Sequence, residues 1–98
     1  MNIIITGASN GIGYHTALLL SQNKGAKILV LSRNEKKLLQ LTDESKTLNP
    51  SANINHLAFD LKNFNEEKLL EKLRQINFNS IDILIKNAGK LINKPFEK

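Results

Sequence analysis

Cysteine is absent from this chain, which excludes disulfides and thiolate chemistry, whether nucleophilic or metal-binding, and fits a reducing compartment. No apolar run approaches the length of a membrane span. No basic segment followed by an apolar stretch and a small-residue cleavage site precedes the first strand, so the expectation is a cytoplasmic protein with no export signal and no membrane attachment. Internal repeats and low-complexity linkers are missing as well. A length of 98 residues suits one domain, taken as residues 1–98, which buries roughly two thirds of its unfolded surface. Acidic residues are the scarcer charge, nine Asp and Glu against 14 Lys and Arg, for a formal net charge of +5. That excess does not make a nucleic-acid surface. Lys36, Lys37, Lys46, Lys68 and Lys72 are interleaved with Glu35, Glu44, Glu66, Glu67 and Glu71, the pattern of a solvated helix face. The basic tail over residues 90–98 has three lysines and a single aromatic, Phe96, too few to make a platform for stacking bases.

What is present is an alternation of short apolar runs with longer amphipathic ones, which predicts an α/β fold built from βαβ units. Strands are expected over residues 2–5, 27–31, 54–59 and 81–85. The second is a continuous apolar run, as a parallel strand covered on both faces requires. A first helix over residues 12–23 is expected to bury Ile12, Thr16, Leu19 and Leu20 and to end near Gly25. A second starts from Asn34 as N-cap, repeats Leu38, Leu41, Ser45 and Leu48, and stops at Asn49-Pro50. A third opens with Asn63 and Glu66 in capping-box spacing and buries Leu69, Leu70, Leu73 and Ile76. Right-handed crossovers place the four strands in a parallel sheet of order 3-2-1-4, a Rossmann-like half with three helices on its two faces. A ligand crevice then falls between strands one and four at their carboxyl ends.

The stretch Thr6-Gly7-Ala8-Ser9-Asn10-Gly11-Ile12-Gly13 lies between the run Ile3-Ile4-Ile5 and the first helix. A strand that turns at once into a helix while leaving room for a pyrophosphate needs residues without a Cβ at the turn and at the helix start, and Gly7, Gly11 and Gly13 supply them. The unpaired N–H groups of the first helical turn and the helix dipole then favour a phosphate there. The spacing G-x-x-x-G-x-G differs from the general dinucleotide fingerprint, and three glycines also occur in plain tight turns; the strand before and helix after favour the phosphate cradle. Asn87-Ala88-Gly89 leaves strand four at the same rim, so two signals converge on one spot. His15 and His56 stand far apart with no cysteine or clustered carboxylate beside them, and no metal site is expected. Asp82 reads as an edge or turn carboxylate, and Tyr14 is expected to face out of the glycine turn.

Taken together these residues resemble the short-chain dehydrogenase/reductase family over essentially the whole chain. Thr6 to Gly13 is similar to the family's T-G-x-x-x-G-x-G cofactor loop, implying that Gly7, Ser9, Asn10, Gly11, Ile12 and Gly13 meet a dinucleotide. Asp60-Leu61 resembles the acidic position near the adenine, although a strand-terminal turn former is the plainer reading of Asp60. Asn87, Ala88 and Gly89 correspond to the last three positions of the N-N-A-G signature, with Lys86 in place of its first asparagine, and Lys94-Pro95-Phe96-Glu97 resembles a common continuation.

Cofactor choice is read at the end of strand two, about 20 residues after the loop, where a carboxylate bonds the ribose 2′-hydroxyl of NAD and an arginine accommodates the 2′-phosphate of NADP. Ser32 and Arg33 stand there. No acid repels a phosphate and a guanidinium is placed to bind one, so NADP(H) is preferred over NAD(H). Asn10 departs from NADP-preferring relatives, which often carry a second basic residue inside the glycine loop.

The resemblance also implies what is missing. The family's hydride chemistry uses a tyrosine, a lysine, a serine and an asparagine that lie beyond the N-A-G signature, and the only tyrosine here, Tyr14, has Leu18 four positions on and is not the Y-x-x-x-K pair. No catalytic residue is assigned, and whether the chain is an enzyme stays open. Two classes stand: the NAD(P)(H)-binding portion of a truncated or split oxidoreductase, and a non-catalytic dinucleotide-binding or interaction module. Strand four, with Ile81, Ile83, Leu84 and Ile85, is expected to form an unpaired apolar edge that seeks a second copy or a complementing chain.

Overall fold

The structure is a computed structural model that describes residues 1–8, 11–58 and 66–86. Its elements alternate along the chain: β1 (Asn2–Thr6), α1 (Gly11–Ser21), β2 (Lys27–Ser32), α2 (Glu35–Leu48), β3 (Asn53–Ala58), α3 (Glu66–Gln75) and β4 (Ile83–Lys86). The strands form one sheet in the order β3-β2-β1-β4, and every pairing is parallel. The expected α/β class, strand order and three helices are all present. Ile3, Ile28 and Ile54 are register partners across three strands, and Ile3 also pairs with Ile83.

Side chains alternate across the sheet and build a core on each face. On one face Ile3, Ile5, Ile28, Val30 and Ile54 pack with Ala17 of α1 and Leu38 and Leu41 of α2. On the other, Ile4, Leu29 and Leu31 meet Phe78, with Leu69, Leu73 and Ile76 half-buried against them. Asn34 caps α2, its side chain accepting from the Lys37 N–H at 3.1 Å, and Asn49 ends the helix by donating its N–H to the Ser45 carbonyl at 2.9 Å. At the other end of the sheet the Asp82 carboxylate accepts from the Asn2 N–H at 2.7 Å while the Asp82 N–H donates to the Asn2 carbonyl at 2.8 Å, an edge carboxylate that starts the β1–β4 pairing.

Helix α1 departs in part from the expected face: Leu20 packs against the first core as expected, and Thr16 is half-buried. Ile12 and Leu19 are 77% and 71% exposed, and the buried line is Gly13, Tyr14, Ala17 and Ser21. The segment GIGYHTALLLS has apolar residues all round, so its sequence marks no single core stripe; the small residues Gly13, Ala17 and Ser21, four apart, turn inward where close approach is needed. Leu48, at the end of α2, is exposed, and Thr42 is buried on that helix instead. Leu70 of α3 is exposed rather than buried, and no residue of that helix is fully buried.

The end of α3 adds a feature that the pattern of apolar residues does not reveal. Asn77 takes a positive φ of 61°. Its N–H donates to the Arg74 carbonyl at 3.1 Å, and the Phe78 N–H donates to the Leu73 carbonyl at 2.8 Å, the pair of bonds of a Schellman cap. Asparagine tolerates this left-handed backbone better than most side chains. The cap folds Phe78 back into the second core, where it is 7% exposed. The expected Asn63 cap and Phe59 lie outside the described residues.

Candidate functional site

Because all four strands run the same way, the chain leaves β1, β2, β3 and β4 at a single rim of the sheet. Thr6 pairs with Leu31 on one side and with Lys86 on the other, so the turn after β1 opens between the ends of β2 and β4. Gly7 has a φ of +66°, a conformation that glycine adopts without the Cβ penalty. The Ala8 N–H then donates to the Leu31 carbonyl at 3.3 Å, keeping the turn against the end of β2 and within reach of Ser32 and Arg33.

Helix α1 begins at Gly11 with a φ of +57°, and a Cβ built there meets nothing within 4 Å, so this side of the helix start is open space. No acidic residue occupies the first turn of α1. Unfilled space, amide donors at a helix N-terminus and no competing carboxylate are what a phosphate group requires. The residues present therefore fit a phosphorylated ligand. At the next strand end, Ser32 Oγ accepts from the Asn34 N–H at 3.2 Å, turning the chain into α2. Arg33 is exposed in that turn with no hydrogen bond or ion pair to a described residue. Ser9, Asn10, Asp60, Leu61, Asn87, Ala88 and Gly89 lie outside the described residues. Thus Gly7, Gly11, Ile12, Gly13, Ser32 and Arg33 are brought to one rim.

Tyr14 corrects its expected orientation. It does not face out of the glycine turn but is 9% exposed beneath α2, its hydroxyl donating to Glu44 Oε1 at 2.6 Å. A second buried link, Ser21 Oγ to Ser45 Oγ at 2.6 Å, joins the other end of α1 to α2. Nothing in the residue spacing pointed to Tyr14, because Glu44 is 30 residues away and only the packing of the two helices brings it near. Burial first, and then the Glu44 carboxylate, push the Tyr14 pKa up from 10.0 to about 12. The neutral phenol is favoured in the folded state, so its contribution is complete below the unfolded value near 10 and is lost as pH climbs through about 12. Tyr14→Phe is expected to cost about 1 kcal/mol at neutral pH by removing the hydrogen bond. The gap between the two proteins should narrow as pH rises from 10 toward 12, read from urea unfolding midpoints; a gap constant over that interval would refute the assignment.

A concavity of about 600 Å³ opens at the opposite rim, lined by Ser21, Lys24, Gly25, Lys27, Asn49 and Asn53 among others. Size does not make it the site. Helices α1 and α2 both end there and present carbonyl oxygens, the negative ends of their dipoles, so a phosphate is disfavoured. Among the described residues no group of three or more His, Cys, Asp or Glu is arranged to hold a metal ion, and no helix is long and apolar enough to cross a membrane.

Comparison with known proteins agrees with this geometry. The family model for short chain dehydrogenases matches residues 1–98. An uncharacterized oxidoreductase of Listeria monocytogenes, Lmo0432, is 38% identical over 96 residues, which are 95% of this chain and 36% of the relative. A very-long-chain 3-oxoacyl-CoA reductase of Emericella nidulans is 40% identical over 90 residues, covering 89% of this chain and 25% of the relative. Among solved structures, a short chain dehydrogenase from Shigella flexneri complexed with NADP superposes with a TM-score of 0.74 at 30% identity, covering 92% of this chain and 38% of that one. The chain thus spans well under half the length of these relatives. With the family model matched from the first residue to the last and the fold superposing on a solved short chain dehydrogenase, the chain belongs to the short-chain dehydrogenase family.

Proposed function

We propose that residues 1–98 form the NAD(P)(H)-binding portion of a cytoplasmic short-chain dehydrogenase/reductase-like oxidoreductase, with NADP(H) preferred over NAD(H). The observation that carries this reading is the open side of Gly11 at a helix start free of acidic residues. Gly7, Ser9, Asn10, Gly11, Ile12 and Gly13 hold the pyrophosphate, chiefly through backbone amides. Ser32 and Arg33 take the 2′-phosphate by charge-assisted hydrogen bonds, Asp60 and Leu61 flank the adenine, and Asn87, Ala88 and Gly89 close the far wall of the crevice. The nicotinamide, when bound, is the hydride carrier. The chain's own residues bind and orient it, and none is assigned to proton transfer. The fraction of each relative that the chain matches, 36% for the Listeria protein, supports the reading as a portion rather than a whole catalyst.

The preference for NADP(H) is tested at Arg33. A charge-assisted contact to a phosphate contributes about 1.5–3 kcal/mol, so Arg33→Ala should weaken NADPH binding about ten- to a hundredfold and leave NADH nearly unaffected. Titration calorimetry with both nucleotides measures this, and equal losses would refute the 2′-phosphate role. The competing reading, a dinucleotide-binding module without chemistry, is separated from the first by the coding region downstream of Lys98: a continuing frame with Y-x-x-x-K supports the oxidoreductase, and a stop supports the module.

A further inference from the structure

Helix α1 is tied to α2 at both of its ends, and the two ties differ. Toward the carboxyl end Ser21 Oγ and Ser45 Oγ lie 2.6 Å apart, and because the Ser21 hydroxyl already donates to the Leu18 carbonyl at 2.7 Å, the shared proton comes from Ser45. The Gln22 amide adds bonds to Ser21 Oγ at 2.9 Å and to the Ser45 carbonyl at 3.4 Å. Toward the amino end the tie is one side chain, Tyr14, whose hydroxyl donates to Glu44 Oε1 at 2.6 Å and also bonds Gln40, one turn earlier on α2. Glu44 and Ser45 are adjacent in sequence, whereas Tyr14 and Ser21 stand seven residues and about 10 Å of helix apart. A single turn of α2 thus holds α1 at two separated points.

The amino-terminal point lies in the turn that offers its amides to a phosphate. Gly11 and Gly13 have no side chain and Ile12 is 77% exposed, so Tyr14 is the first side chain of α1 that the core grips. Ala17, the next buried residue, presents only a methyl group, which sets how near the helix lies but not how it is rotated. Direction at this end comes from the hydrogen bonds of the Tyr14 hydroxyl. Without them the helix start turns about the more heavily bonded Ser21–Ser45 end, and the amides of the first turn no longer keep one aim.

We propose that Tyr14, held by Glu44, is a positioning residue for the dinucleotide cradle: it fixes the direction of the first-turn amides of α1 and so sets the affinity for the pyrophosphate without touching the ligand. The proposal rests on the reading of Gly7 to Gly13 as that cradle and adds a residue that acts from behind it. Tie and ligand then favour each other equally, since coupling between two equilibria is reciprocal. The pyrophosphate is common to both nucleotides, so the tie acts on NADPH and NADH alike, unlike Arg33.

The test is titration calorimetry of the 98-residue chain with NADPH and with NADH, below the onset of thermal unfolding and with folding established by circular dichroism. Tyr14→Phe is expected to weaken both nucleotides about three- to tenfold, the range that one hydrogen bond allows. Ser45→Ala removes the other tie and lowers the melting temperature, yet should bind both nucleotides as the parent does. A merely structural Tyr14 would behave as Ser45 does, losing melting temperature and keeping affinity. Glu44→Gln, whose amide oxygen still accepts the phenol proton, should weaken binding less than Tyr14→Phe. Unchanged affinity in a folded Tyr14→Phe, an equal loss in Ser45→Ala, or a loss in Glu44→Gln as large as that in Tyr14→Phe would overturn the proposal. A loss confined to NADPH would do so too, by moving the effect to the 2′-phosphate. A parent chain that binds neither nucleotide refutes the cradle and the proposal with it, so the parent titration tells the two failures apart.

Discussion

Gly13→Val is expected to abolish the stabilisation of this chain by NADPH. A ligand at 100 times its dissociation constant adds about 2.7 kcal/mol to folding stability, which for a domain of this size raises the melting temperature by roughly 10 °C or more. Gly13 is a buried residue in the first turn of α1, two positions after the open side of Gly11. A branched side chain there intrudes where helix, strand end and pyrophosphate must approach closely. Valine is a better helix former than glycine, so loss of binding by a folded variant reports on the close approach at this turn and not on helix propensity. Circular dichroism establishes that the variant is folded, and a thermal-shift titration with NADPH reads the loss. An undiminished shift in Gly13→Val would remove the pyrophosphate from this turn, and no shift of the parent chain with either nucleotide would remove the cradle altogether. Arg33→Ala, on an exposed turn, provides the companion measurement in a protein whose core is untouched.

Ile28→Ala should leave the chain largely unfolded at physiological temperature. Ile28 is 0% exposed, lies on β2 between Ile3 and Ile54, and packs in the core roofed by α1 and α2. Truncating such a side chain costs about 2–5 kcal/mol through lost burial and the cavity left behind. Small domains hold about 5 kcal/mol or little more in total, so the loss removes most of the margin. Leu48→Ala, at a position 61% exposed, should fall within about 0.5 kcal/mol of the parent. Urea unfolding of the three proteins distinguishes them. Similar midpoints for Ile28→Ala and Leu48→Ala would show that this row of isoleucines is not the core.

These two expectations differ in where their information comes from. Ile3 and Ile28 were legible because each lies in a short apolar run bounded by polar or turn residues, and parallel strands covered on both faces must be built from such runs, whereas Ile54 stands singly between Asn53 and Asn55. Asn34 and Asn49 marked the ends of α2 for an equally local reason: a side chain or backbone group must satisfy the unpaired groups of a helix end. The glycine turn was legible because positive φ at Gly7 and Gly11 is a demand on the backbone itself. Ser32 and Arg33 were placed by counting along one βαβ unit, which fixes the strand end at which they emerge.

The rotation of α1 about its axis was not legible. In a helix that carries apolar residues on every side, the largest of them drew the expected core face to Ile12 and Leu19, while the native contacts selected Gly13, Ala17 and Ser21. Tyr14 followed the same error, since its partner Glu44 belongs to another helix. Likewise Asn77 and Phe78 gain their importance from a backbone reversal that no periodicity announces.

The sequence by itself therefore determined the elements, their parallel order and the rim at which the glycine turn opens, because helix ends, strand runs and turn glycines are set by interactions within a few residues. Tertiary structure alone decided which side of α1 faces the sheet and that Tyr14 is an internal tie. Those outcomes depend on how closely two backbones approach, and small residues permit a close approach that larger apolar ones forbid.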